Sequence, residues 1–526
     1  MTQGNDWWRG AVTYQIYPRS FQDSDGDGIG DLPGITSRLD HVAALGVDAI
    51  WLSPFFTSPM KDMGYDVADY CGIDPLFGTM ADFDQLLARA HDLGLKVIID
   101  QVLSHSSDQH PFFRESRASR DNPRADWYVW ADANPDGTPP NNWLSHFGGP
   151  AWTWDSRRKQ FYMHNFLPSQ PDFNFHNPGV QDWHIENLRF WLDKGVDGFR
   201  LDTVNYYFQD RQLRSNPALP PGMAEFDTIP YFFQDHIHQK TQPENLAFVE
   251  RLRVLTDSYQ GRAMVGEISA GHRARQVMGD YTRGTNRLHM AYSFDMLGPS
   301  FSPEHFRGTV EAFFAAAPDG WPAWAFSNHD TIRHISRWAE HGQPDALARL
   351  SAALLLSLEG SIYIFQGEEL GQIETELEFD ELRDPPGITF WPDYKGRDGC
   401  RTPMVWQADN QSGGFSSGKP WLPVKAPQLA RNAAAQGAGS VLDFYRRMLA
   451  LRRGSDALRR GKTQFLATEK GLLAFSRGDR VLCLFNLSAG PLRFADAPQH
   501  APLLAQGYAD GTLDALGFAI LPFGAA

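Results

Sequence analysis

The chain has 526 residues, 42% of them hydrophobic and 21% charged, an ordinary globular composition with room for several domains. A net charge of −15 works against nucleic acid and anionic membranes as partners, because phosphates want clustered Lys and Arg, and it suits a neutral substrate. Three cysteines (Cys71, Cys400, Cys483) make no disulfide framework, and neither a leader nor an apolar run of membrane length is visible, so a soluble, cytoplasmic protein is expected.

In chain order, AVTYQIYPRSF (11–21) reads as a buried strand. A helix follows, with Ile35, Leu39, Val42 and Leu45 on one face, and then a strand, VDAIWLSPF (47–55). A second helix carries Phe83, Leu86, Leu87 and Ala90, and LKVIIDQV (95–102) is the third strand. Strand, helix and strand at this rhythm imply parallel βαβ units. Residues 104–177 break the rhythm with Asn, Pro, Asp, Trp and Gly, an excursion long enough to be a subdomain. It resumes with a helix bearing Ile185, Leu188 and Leu192, then VDGFRLDTV (196–204), AMVGEIS (263–269), AYSFDM (291–296), AWAFSNHD (323–330) and SIYIFQGEE (361–369).

Eight strands in this order predict a (β/α)₈ barrel over 1–103 and 178–455, whose active site belongs at the strands' C-terminal ends. Residues 371–437 form a second irregular excursion, after the eighth strand. Short alternating strands over 456–526 predict a C-terminal antiparallel β domain.

The strand ends carry the chemistry. GFRLD places Asp202 two residues after Arg200, on one face of a strand, where the Arg should keep the carboxylate ionised. In VGEIS, Glu267 follows Gly266, a small neighbour that would let a ligand approach, and a partly desolvated carboxyl there would have a raised pKa. SNHD offers His329 and Asp330, and IIDQVLSH offers Asp100, expected to orient Arg200 from below, and a more exposed His105. Taken alone, Asp202 also fits a structural ion pair, Glu267 a satisfied structural Glu, and a lone His an unremarkable one. Four strand ends aimed into one mouth fit glycosidic bond cleavage, which needs a carboxylic acid and a carboxylate, about 5–5.5 Å apart in a retaining enzyme.

Taken together, DQVLSH (100–105), QPDFN (170–174), GFRLDTV (198–204), GEIS (266–269) and SNHD (327–330) resemble, in order and placement, the α-amylase family, glycoside hydrolase family 13. The resemblance implies Asp202 as nucleophile, Glu267 as acid/base and Asp330 as transition-state stabiliser, with Arg200, His105 and His329 binding the sugar and Tyr65 of GYDVADY stacking on it. The α-glucosidase branch of that family implies a clamp on the terminal glucose by Asp62 and an Arg of GRDGCRTPM, here Arg397 in preference to Arg401. Such a clamp makes an exo-acting pocket. QPDFN resembles the motif of the oligo-1,6-glucosidase subgroup. In that branch Thr203, following the nucleophile, goes with α-1,4 linkages and short substrates such as maltose. Phe147 and Phe166 are candidate aromatic walls, with ordinary packing an equal alternative.

No organic cofactor is expected. Ser104 stands where α-amylases have a calcium-binding Asn, so that site should be absent. DSDGDGIGD instead gathers Asp23, Asp25, Asp27 and Asp31 in one turn, oxygens that suit a hard cation. The resemblance implies structural Ca²⁺ or Mg²⁺ there, with the Ile29 carbonyl as a further ligand. The alternatives are an oligo-1,6-glucosidase, a sucrose or trehalose isomerase with glucosyl transfer, and an inactive barrel scaffold. A monomer or homodimer acting on small α-glucosides is expected.

Overall fold

The computed structural model describes residues 6–224, 228–408 and 411–524. Eight parallel strands form one sheet: β1 (Val12–Ile16), β2 (Ala49–Leu52), β3 (Lys96–Gln101), β4 (Gly198–Leu201), β5 (Ala263–Ile268), β6 (Met290–Ser293), β7 (Ala323–Trp324) and β8 (Ser361–Phe365). They pair in chain order, with β8 beside both β1 and β7. A parallel bridge from Ala291 to Pro322 joins β6 to β7, so the sheet closes as a (β/α)₈ barrel.

Sequence chemistry sets the helix ends. Helix α1 (Leu32–Leu45) starts where the Asp31 carboxylate accepts from the Gly34 N–H at 2.6 Å, with Pro33 in the first turn. It stops at Gly46, whose φ of 93° is left-handed. Helix α2 (Met80–Asp92) opens with a Thr79–Asp82 capping box. Their apolar stripes, Ile35, Leu39 and Val42 on one and Phe83 and Leu86 on the other, are buried against the sheet. Each such side chain contributes about 1.5–3 kcal/mol. Inside the barrel, Trp51, Ile98, Val265, Tyr292 and Tyr363 form a separate packed core.

Between β3 and β4 the chain builds a small three-stranded sheet from Trp130–Ala131, Gln160–Met163 and Trp152–Asp155. After Val441–Arg453, the last barrel helix, a six-stranded antiparallel sheet runs from Thr463 to Pro522. Among the described residues, no helix is long and apolar enough to cross a membrane.

Candidate active site

The register of β4 on β5 pairs Leu201 with Gly266, so the next positions, Asp202 and Glu267, stand side by side at the strand ends. Neighbouring strands lie about 4.8 Å apart, close to the separation of about 5–5.5 Å that a retaining pair requires. One guanidinium holds both: Arg200 Nη1 is 2.6 Å from Asp202 Oδ1, and Nη2 is 2.8 Å from Glu267 Oε2. The same Nη1 is 2.9 Å from Asp100 Oδ1 on β3, beneath the site. Tyr292, turned inward from β6, donates to Glu267 Oε1 at 3.1 Å.

This sharing corrects the expectation that Arg200 simply keeps Asp202 ionised. Arg200 is divided among three buried carboxyl groups, and burial outweighs it. Burial pushes Asp202 and Glu267 each up to about 7 and Asp100 up to about 6. The Asp202 charge adds to the rise of Glu267. Asp330 is different: against its burial, His329, Arg397 and Arg401 hold it below the ordinary carboxylate range.

Two further expectations need correction. His105 is not exposed but 1% accessible, lying against Phe166 with its Nε2 3.0 Å from the Tyr65 carbonyl. Burial brings it down to about 4, so it is neutral. Gly266 does not clear a path for a ligand. A Cβ there would lie 2.4 Å from Leu288 Cδ1 and 2.8 Å from Val204 Cγ1, so its small size serves packing behind the barrel wall.

The inner end of the cavity is closed by charge. Arg397 Nη2 is 2.8 Å from Asp62 Oδ1, and its Nη1 is 3.2 Å from Asp330 Oδ1. Its guanidinium lies 4.8 Å from the centre of the Phe147 ring. Asp62 is projected by a tight turn in which Met60 and Met63 have positive φ, and the Asp66 carboxylate accepts from the N–H groups of Lys61 and Asp62. Tyr65 stacks flat on His329, with ring centres 5.2 Å apart. The cavity is about 470 Å³ and is lined by Asp62, Tyr65, His105, Phe147, Phe166, Asp202, Thr203, Glu267, Asp330 and Arg397. Arg200 and His329 lie just behind that lining, fully buried. Phe232, Ile229, Met223 and Phe294 add apolar lining.

Sequence reasoning missed several supporting groups. Asp384, in the second excursion, accepts from Arg397 Nη2 at 2.6 Å and from Nε at 3.1 Å. Arg401, set aside as structural, also reaches Asp330 Oδ1, at 3.1 Å, and donates to the His329 carbonyl. Gln170, within the quoted QPDFN motif, donates to Asp62 Oδ2 at 3.0 Å. The inward position of Tyr292 was readable from strand alternation. The partners of Asp384 were not, because it comes from a segment without a period.

In the metal loop, carboxylate oxygens of Asp23, Asp25 and Asp27 lie within 4.8 Å of one another. Asp31 is outside that group, because its oxygens cap α1 and accept from Ser24. The Ile29 N–H is tied to Asp27 at 2.8 Å.

The model of the α-amylase catalytic domain matches residues 15–461. The chain belongs to the α-amylase family. It is 56% identical to a probable α-glucosidase of Rhizobium meliloti (strain 1021), over 92% of this chain and 90% of the relative. It is 34% identical to an oligo-1,6-glucosidase of Heyndrickxia coagulans, over 96% of each chain. Among solved structures, an α-glucosyl transfer enzyme, XgtA, superposes with a TM-score of 0.93 at 53% identity, covering 99% of this chain and 98% of the other. The chain is a glycoside hydrolase.

Proposed function

We propose that the protein is an exo-acting, retaining α-glucosidase that removes terminal α-glucose from small α-glucosides. The observation that carries this is the Asp202–Glu267 pair held on one guanidinium at the bottom of a cavity whose far end is closed by Asp62 and Arg397. A closed end leaves room for one chain terminus and not for a polymer passing through. Asp202 attacks the anomeric carbon, and Glu267 protonates the departing oxygen and then deprotonates the incoming water or acceptor. Asp330 stays charged and faces the cation-like transition state. The apolar part of the cavity lining supports transfer of glucose to acceptors other than water.

Thr203 beside the nucleophile supports a preference for α-1,4 linkages. The likeness to an oligo-1,6-glucosidase keeps α-1,6 cleavage as the second reading. Asp23, Asp25 and Asp27, which fit a hard cation by donor type and convergence, would hold a structural Ca²⁺ or Mg²⁺. Three free cysteines fit a reducing, cytoplasmic setting. The test is Asp202→Asn. It should remove nearly all turnover of p-nitrophenyl α-glucoside while the melting temperature and circular dichroism stay near wild type. Near-normal turnover in the folded variant would sink the assignment.

A further inference from the structure

Ser104, which departs from the family pattern, and Thr203, the residue after Asp202, meet in the structure. Ser104 follows β3 and Thr203 follows β4, and their hydroxyl oxygens are 3.2 Å apart. Each hydroxyl owns one proton. The proton of Ser104 can be placed. The Tyr65 carbonyl only accepts, so His105 Nε2, 3.0 Å away, carries the proton of the neutral ring. Gln170 Nε2 is also 3.2 Å from that nitrogen, but it is directed by Asp62 Oδ2 at 3.0 Å and by its own Oε1 on the Leu167 N–H. His105 Nδ1 is therefore an acceptor, and Ser104 Oγ donates to it at 2.9 Å. That leaves Ser104 only lone pairs to offer Thr203. On its other side Thr203 Oγ1 is 3.3 Å from Asp202 Oδ2. One proton faces two acceptors.

We propose that Ser104 is a positioning residue for the nucleophile, acting through Thr203. It competes with Asp202 for the single Thr203 O–H, which donates to Asp202 while that carboxylate is charged and turns to Ser104 while Asp202 is esterified. The idea rests on Asp202 being the nucleophile. In the first step an Asp202 oxygen bonds to the anomeric carbon, the bond from that carbon to the leaving oxygen breaks, and the leaving oxygen takes the Glu267 proton. Charge has then left Asp202, and an ester oxygen accepts more weakly than a carboxylate. In the second step water bonds to the anomeric carbon, gives its proton to Glu267, and the ester bond breaks with its electron pair returning to Asp202. The Thr203 proton follows the charge both ways. The backbone fixes Thr203 for this work: φ of 38° and ψ of 49° are left-handed, rare for a β-branched residue, and they turn its N–H to Glu267 Oε2 at 3.1 Å. One residue thus serves both carboxyl groups.

The test compares wild type, Thr203→Val, Ser104→Ala and the double variant by the pH dependence of kcat/KM on p-nitrophenyl α-glucoside. The acid limb reports the Asp202–Glu267 pair. The other charged or titratable groups facing Asp202 are Arg200, Asp100, His105 and Asp330, with Tyr65, Tyr70, Tyr206 and Tyr207 around them. All are common to the four proteins. Thr203→Val removes a donor, so the acid limb should move up by about half to one pH unit. Ser104→Ala removes the competitor, so the limb should move down. The double variant should match Thr203→Val alone, and Thr203→Ser should restore the wild-type limb. Ser104→Cys, a poor acceptor, repeats the Ser104 arm if the alanine variant folds badly. Shifts in the same direction for both single variants, an additive double variant or an unmoved limb would overturn the relay. None of these results bears on the nucleophile itself, which Asp202→Asn decides.

Discussion

Replacing Asp384 with Asn tests whether the closed end of the cavity depends on a residue that touches no substrate. Asp384 is fully buried and takes Arg397 Nη2 at 2.6 Å, Nε at 3.1 and 3.2 Å, and the Arg397 backbone N–H at 2.8 Å. Asn keeps the shape and one acceptor oxygen, but it loses the charge and presents N–H groups toward other N–H groups. Removing one partner of a buried pair costs about 3–5 kcal/mol when the other charge is left alone. Here Asp62 and Asp330 still neutralise Arg397, so the loss is closer to that of a hydrogen bond to a charged group, about 1.5–3 kcal/mol. At 1.36 kcal/mol per tenfold, that is roughly 10- to 150-fold in kcat/KM. An Arg397 that leans toward Asp62 misplaces the hydroxyl clamp in ground and transition states alike, so most of the loss should appear as a raised KM. Steady-state kinetics on p-nitrophenyl α-glucoside, with a thermal melt to check folding, measure it. A KM within twofold of wild type in the folded variant would refute the idea that Asp384 holds the clamp.

Maltose should be turned over faster than isomaltose, and the reverse order would show that Thr203 does not govern linkage here. Glu267 should give a pH signature in stability as well as rate. Its folded pKa of about 7 lies above the unfolded value, so its contribution to stability is present in full below the ordinary Glu range and is lost as pH rises through about 7. Glu267→Gln should therefore melt above wild type at pH 8, with the gap closing toward pH 4. A constant gap would contradict the raised pKa. Removing a bound cation with a chelator should lower the melting temperature of wild type but not of an Asp23→Asn, Asp25→Asn double variant, as followed by calorimetry with metal analysis. Equal melting with and without chelator would dismiss the site.

Much of the fold was legible because the physical signals are local. A strand of four to six apolar residues, a helix with a 3.6-residue stripe, and Asp31 or Thr79 at the cap are properties of short segments. Their order alone implied eight βαβ steps and put Arg200, Asp202, Glu267 and Asp330 at strand ends. Sequence could not count how many groups share one charge. Arg200 beside Asp202 in the chain suggested an exclusive pair, and only the closed barrel brings Asp100 and Glu267 onto the same guanidinium. Burial was equally hidden: nothing near His105 in sequence announces that Phe166 and Tyr65, from distant segments, seal it from water.

The sequence by itself determined the barrel, the identity of the strand-end carboxylates and the turn that gathers Asp23, Asp25 and Asp27, since each depends on residue type and spacing within a few positions. Tertiary structure alone decided the protonation of the pair, the closure of the pocket by Asp62, Arg397 and Asp384, and the contact of Ser104 with Thr203. Those depend on groups between 13 and 335 residues apart in the chain, brought within hydrogen-bond distance, and on water being excluded around them.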